Sequence, residues 1–182
     1  GKVAASFAIP DDLGSPLKIP KIPVIDKISA PDEMLERWVQ GTLEILPESV
    51  LDTVKEVKVE PTTDSKIVSL DEEKQIITIR KVPKKGSPIT EEYIASSVLH
   101  NQGHLVYNNL SPKIRQGSDK LFQSATKNPK SFVTDIATQN PFEFFAENFA
   151  YYVSSPKYFW IRNRAAYIYM YKRVFESQEY RS

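Results

Sequence analysis

Two histidines four residues apart, His100 and His104 in the stretch LHNQGHLVY, are the side chains here best suited to chemistry. On an α-helix, residues i and i+4 lie on one face a turn apart, so both imidazoles can reach a single cation. Zinc takes about four ligands, and a catalytic zinc keeps three from the protein and leaves one position open. The chain has only two histidines, so the third protein ligand must be a carboxylate. The metallopeptidase pattern H-E-x-x-H requires glutamate directly after the first histidine, and this chain has Asn101 there.

Two carboxylates stand out. Glu143 and Glu147 are themselves four apart in NPFEFFAENFAYYV, a helical stretch with an Asn140 cap and Pro141 in its first turn. A glutamate buried among Phe142, Phe144, Phe145 and Phe149 is costly without a positive partner, and zinc would be one. One of the two would bind zinc while the other accepts a hydrogen bond from a ligand histidine. The competing reading is a metal-free core with two satisfied imidazoles, in which Glu143 needs a hydrogen-bonding partner instead.

The elements that must carry these residues follow from periodicity. Thr90, followed by Glu91 and Glu92, caps the helix that bears the histidines. Upstream, Met34, Leu35, Trp38, Val39, Leu43 and Leu46 recur at helical spacing from Asp32, and Pro47 begins a second run through Val50, Leu51 and Val54. KIVSLDEEKQIITIRKV holds two β-branched runs around the polar turn Asp71 to Lys74, a hairpin pattern whose strand could receive an extended peptide. Ser111 to Asn128 reads as a loop and a helix with Leu121, Phe122 and Ala125 inward, and a last helix covers about 164–176. Residues 1 to about 30 carry Pro10, Pro16, Pro20 and Pro23 without helical period, which predicts an extended arm ahead of one domain over 31–182. The expected fold class is α+β.

At 182 residues one core is the default, and a net charge of +1 from 24 basic and 23 acidic residues gives no field to draw in nucleic acid. No window approaches the roughly 18–20 apolar residues of a membrane span, so no transmembrane segment is expected. The first residues lack signal-peptide layout, and Gly1 in place of methionine is expected of a chain trimmed at its start. Absence of cysteine is compatible with either redox compartment.

Together, HNQGH (100–104) and NPFEFFAENFAYYV (140–153) resemble the anthrax lethal factor-like zinc metallopeptidase family, which includes the clostridial Pro-Pro endopeptidases. The likeness extends over roughly 40–175. It implies a zincin-like α+β fold, a secreted protein, His100, His104 and Glu143 as zinc ligands, and Glu147 supporting a ligand histidine. It also implies two departures at the chemical step. The general-base glutamate is replaced by Asn101, and a tyrosine seven residues before the third ligand, which assists at the developing oxyanion, is replaced by Ile136. A neutral amide cannot take a proton, and general-base help is typically worth about 10²- to 10⁴-fold. Losing one oxyanion donor costs about 10²- to 10³-fold. The family also includes a degenerate copy of the fold that acts as a docking module.

The resulting expectation is a catalytically impaired pseudo-peptidase that retains Zn²⁺ and binds a protein or peptide partner. Alternatives are an active zinc endopeptidase on an extended peptide and a metal-free structural or interaction domain. Tyr107, Tyr151 and Tyr152 lie on the two site helices and are candidates to replace the missing donor. YFWIRNRAAYIYMYKR, whose cations meet no acid, is either an interaction surface or a helix packed by Trp160, Tyr167 and Tyr171 with its cations in solvent.

Overall fold

The computed structural model describes residues 23–60, 69–80 and 89–181. Four short strands make one sheet: β1 (Ile28–Ser29), β2 (Glu56–Glu60), β3 (Leu70–Asp71) and β4 (Ile76–Arg80), in the order β1-β2-β4-β3. EVKVE and IITIR alternate in hydrophobicity, so each strand turns one face inward. Val57 pairs with Ile77 and Val59 with Ile79 in a parallel register, and all four are buried. β3 and β4 form the hairpin expected from Asp71 to Lys74, with Leu70 opposite Ile77. The Asp71 carboxylate accepts the Lys74 N–H at 2.9 Å, and Gln75 closes the turn at φ 59. Residues 66–68 and 81–82 of the expected runs lie outside the described residues, as does 1–22 of the proline-rich stretch. Its last residues are built into the body, where Ile28 and Ser29 pair with Val57 and Lys58.

The helices are α1 (Glu33–Leu43), α2 (Glu48–Leu51), α3 (Glu91–Asn109), α4 (Pro112–Thr126), α5 (Pro141–Ser154), α6 (Pro156–Arg162) and α7 (Arg164–Arg173). Asp32, Thr90, Ser111 and Asn140 each cap a helix by accepting the backbone N–H three residues on. On α1, Leu35, Val39 and Leu43 face the core, whereas Met34 falls off that stripe and is 48% exposed. α7 stops at Arg173, short of the expected Glu176, because Glu176 and Ser177 take left-handed φ values of 51 and 65.

α5 lies at the centre, packed on α3 and touched by α4, α6 and α7. Phe144, Phe145, Phe149 and Tyr152 on α5 are fully buried together with Phe159 and Phe175. The Tyr152 ring stacks on Phe175 at 4.2 Å between centroids. The C-terminal aromatics are largely part of this packing: Tyr167 is buried, and Trp160 and Tyr171 pack against the core. The Arg164 guanidinium lies 4.7 Å over the Trp160 ring, and Arg162 donates to the Phe132 carbonyl at 2.9 and 3.3 Å. Among the described residues the fold is mixed α+β, mostly helical with its small sheet beside α3, and no helix is long and apolar enough to cross a membrane.

Candidate metal centre

Two helix pairings place the site. The Asn140 side chain accepts the Glu143 N–H at 2.8 Å, which fixes the first turn of α5 and the residue that leaves it. On α3, Gln102 points away from the histidines into the core and donates to the Val50 carbonyl at 2.8 Å and the Thr53 hydroxyl at 2.6 Å. That buried amide ties the middle of α3 to the segment around α2. Gly103 lets α3 and α5 touch, because a Cβ there would stand 2.8 Å from the Ala146 Cα.

The approach brings His100, His104 and Glu143 together. His104 Nε2 is 3.0 Å from His100 Nε2, and Glu143 places one carboxylate oxygen 3.1 Å from His100 Nε2 and the other 3.3 Å from His104 Nε2. Ligand atoms around a tetrahedral cation with bonds near 2.0–2.1 Å stand about 3.3 Å apart. One Glu143 oxygen is buried and accepts no hydrogen bond. Two imidazole nitrogens and a carboxylate converging this closely repel unless protons or a cation lie between them. The donor set, nitrogen and oxygen with no thiolate, suits an ion of intermediate softness. The three residues could therefore hold a metal ion.

Glu147, one turn beyond Glu143, sits behind His100. One of its oxygens meets His100 Nδ1 at 2.9 Å and the other accepts the Thr134 hydroxyl at 2.8 Å. Burial alone would raise its pKa, but these hydrogen bonds and the histidine charges bring it below the ordinary carboxylate value. Burial disfavours protonation of His100, yet Glu147 and then Glu143 raise its pKa above the usual imidazole value. His104 goes the other way, to about 4, through burial and the neighbouring His100 charge. Its Nδ1 is buried without a partner, and the ring is held instead by stacking on Phe142 at 3.8 Å and 25°.

An open cleft of about 550 Å³ between β4, α3, α5 and the turn 136–138 meets the triad at His100, the one of its three residues that lines it. Thr78, Ile79 and Arg80 of β4 form one wall, and His100, Asn101, Glu147 and Tyr151 form another. Asn101 faces this cleft, and its amide nitrogen donates to the Ser97 carbonyl at 2.9 Å within its own helix. Ile136 also lines the cleft and is 44% exposed. Among the described lining residues Glu147 is the sole carboxylate, and both its oxygens are engaged. Of the three candidate tyrosines, Tyr107 donates to Asp119 at 2.9 Å and Tyr152 donates to the Gln178 carbonyl in the core. Tyr151 alone of the three lines the cleft, with its pKa raised by burial and then by Glu147.

Thr134, Gln102, Gly103 and Phe142 are the site residues that pattern reading passes over. Gly103 carried a signal, a glycine inside a helix between two candidate ligands. Compared with protein-family models, curated proteins and solved structures, the chain finds no match.

Proposed function

We propose that the chain is a secreted zinc-binding protein of the lethal factor-like metallopeptidase type, catalytically impaired, that acts by binding a protein or extended peptide in the cleft. The observation that carries the reading is the convergence of His100, His104 and Glu143 at 3.0–3.3 Å beside a cleft whose described lining residues include no free carboxylate. A zinc ion, when bound, acts as a Lewis acid on a carbonyl or water oxygen. The chain's own residues hold that ion and orient it, but do little of the proton work. Asn101 offers a carboxamide that cannot accept a proton, Glu147 has both oxygens engaged, and Ile136 presents no donor. The open cleft, lined by Thr78 to Arg80, His100 and Tyr151, is the proposed place for that occupant; β4 itself is an inner strand between β2 and β3.

The test is zinc stoichiometry by elemental analysis on protein purified without added metal or a histidine tag, beside His104→Ala. One zinc per chain, lost in the variant, is the expected result. A peptide-library digest with and without chelator addresses the chemistry. Chelator-sensitive cleavage by the wild type would overturn the impaired reading, and absence of zinc from the wild type would overturn the metal site itself.

A further inference from the structure

Glu147 is buried, and its two oxygens have different partners: His100 Nδ1 at 2.9 Å and the Thr134 hydroxyl at 2.8 Å. Thr134 belongs to neither ligand helix. It lies in the irregular stretch before the turn 136–138, and its hydroxyl oxygen accepts the Ala137 N–H at 3.2 Å. The direction of each bond then follows. A backbone N–H can only donate, so it occupies a lone pair of the Thr134 oxygen and leaves the hydroxyl proton for the carboxylate. An ionised carboxylate can only accept, so the proton between Glu147 and His100 resides on Nδ1. His100 Nε2 is then the nitrogen that faces Glu143 and His104, 3.1 and 3.0 Å away, and the one left to bind a cation.

We infer that Thr134 is a positioning residue for the metal centre: its hydroxyl, aimed by the Ala137 N–H, holds Glu147 so that His100 keeps Nδ1–H and offers Nε2 to a cation. The inference rests on the metal-binding reading above and deepens it. The two histidines are then held by different means. His104 has no partner at Nδ1 and relies on the Phe142 face. His100 relies on a chain of three hydrogen bonds that begins on a turn outside both helices. That turn also carries Ile136, which lines the cleft, so the element at the cleft wall is the one that sets the His100 ring.

Thr134→Val keeps the shape and removes the donor, whereas Thr134→Ser keeps the donor. The measurement is the Zn²⁺ dissociation constant by competition with a chromophoric chelator, with the visible spectrum of the Co²⁺-loaded protein as a report on ligand geometry. Wild type, both Thr134 variants and His104→Ala are compared. Outer-shell partners of metal ligands are typically worth 10- to 100-fold in affinity, and one bond further out Thr134→Val is expected to weaken zinc by about tenfold and to alter the Co²⁺ bands. Thr134→Ser is expected to match the wild type. Wild-type affinity in the valine variant, or a serine variant as weak as valine, overturns the inference while leaving the metal site standing. Equal binding by wild type and His104→Ala overturns the metal-site reading itself, and the inference with it. Should Thr134→Val fail to fold, the ¹⁵N–¹H long-range spectrum of the Zn²⁺-loaded wild type decides: Nδ1–H on His100 with Nε2 on the metal supports the inference, and Nε2–H with Nδ1 on the metal refutes it.

Discussion

Replacing Gly103 by alanine tests whether the close approach of α3 and α5 builds the site. The added Cβ would lie 2.8 Å from the Ala146 Cα, 3.1 Å from the Ala146 carbonyl oxygen and 3.1 Å from the Phe149 Cβ. Two of these three atoms are backbone of α5 and cannot rotate away. Since ordinary contact begins near 3.4 Å, the helices must part locally by roughly 0.6 Å. A core this dense relaxes only in part. Overpacking of this kind costs about 1–3 kcal/mol, and the better helix propensity of alanine returns up to about 1 kcal/mol. A net loss of about 1–2 kcal/mol corresponds to a Tm lower by roughly 2–8 °C for a chain of this length. The same parting draws His100 and His104 away from Glu143, and a functional constellation tolerates only about 0.5 Å. Zinc affinity should therefore fall together with stability. Circular dichroism melts without metal, followed by zinc competition titrations, measure both. Gly41→Ala on α1 is the control, because nothing lies within 4 Å of its added Cβ, and it should be neutral or slightly stabilising. A Gly103→Ala protein with wild-type Tm and wild-type zinc affinity would refute the argument.

Three further outcomes follow from the same geometry. Glu147→Gln keeps the shape but loses the charge behind His100, and it should weaken zinc by about 10- to 100-fold in the competition titration while leaving the three candidate ligands in place. Metal-free protein should lose stability as pH falls from about 6.5 toward 4. The unfolded chain takes up a proton at His104 in that window and the folded chain, with a pKa of about 4, does not. The slope is at most about 1.4 kcal/mol per pH unit, and His104→Gln should flatten it in denaturant titrations run with chelator. His100, shifted upward, contributes its slope above pH 6.5, and Glu147, shifted downward, contributes below about 4.5, so the interval between belongs to His104 among these three. Asn101→Glu combined with Ile136→Tyr should introduce chelator-sensitive peptide cleavage at least about 10²-fold above the wild type. Unchanged cleavage in that variant would mean that more than these two positions is missing.

How far the sequence reaches can be judged residue by residue. The spacing of His100 and His104 and the caps at Thr90 and Asn140 are local, fixed by neighbours within one turn, and local rules read them. Glu143 and Glu147 were legible as a pair because carboxylates among phenylalanines need an explanation. β2 was not anticipated. Its partner β4 begins sixteen residues after β2 ends, and a five-residue parallel strand has no turn to announce it. α6 was not anticipated: in the sequence Pro156 reads only as the end of the preceding helix and the last helix as starting from 164, whereas Pro156 opens a separate helix in which Phe159 is buried and Trp160 packs under Arg164. Thr134 carries no local signal: its role comes from a carboxylate thirteen residues away, brought near by the packing of the turn 136–138 on α5.

On the proposed reading, the positions that would carry proton transfer in a hydrolase differ physically from the positions that would hold the ion. Ile136 is 44% exposed on the cleft wall, whereas Asn101 is buried, with its amide nitrogen satisfied within its own helix by the Ser97 carbonyl. The ligand side is bound to the core at every step. Gly103 sets the helix contact, Phe142 covers His104, and Glu147 would be left as a buried, unpaired charge if His100 were lost. A change at 136 should therefore cost little stability, while a change at 100 should cost more.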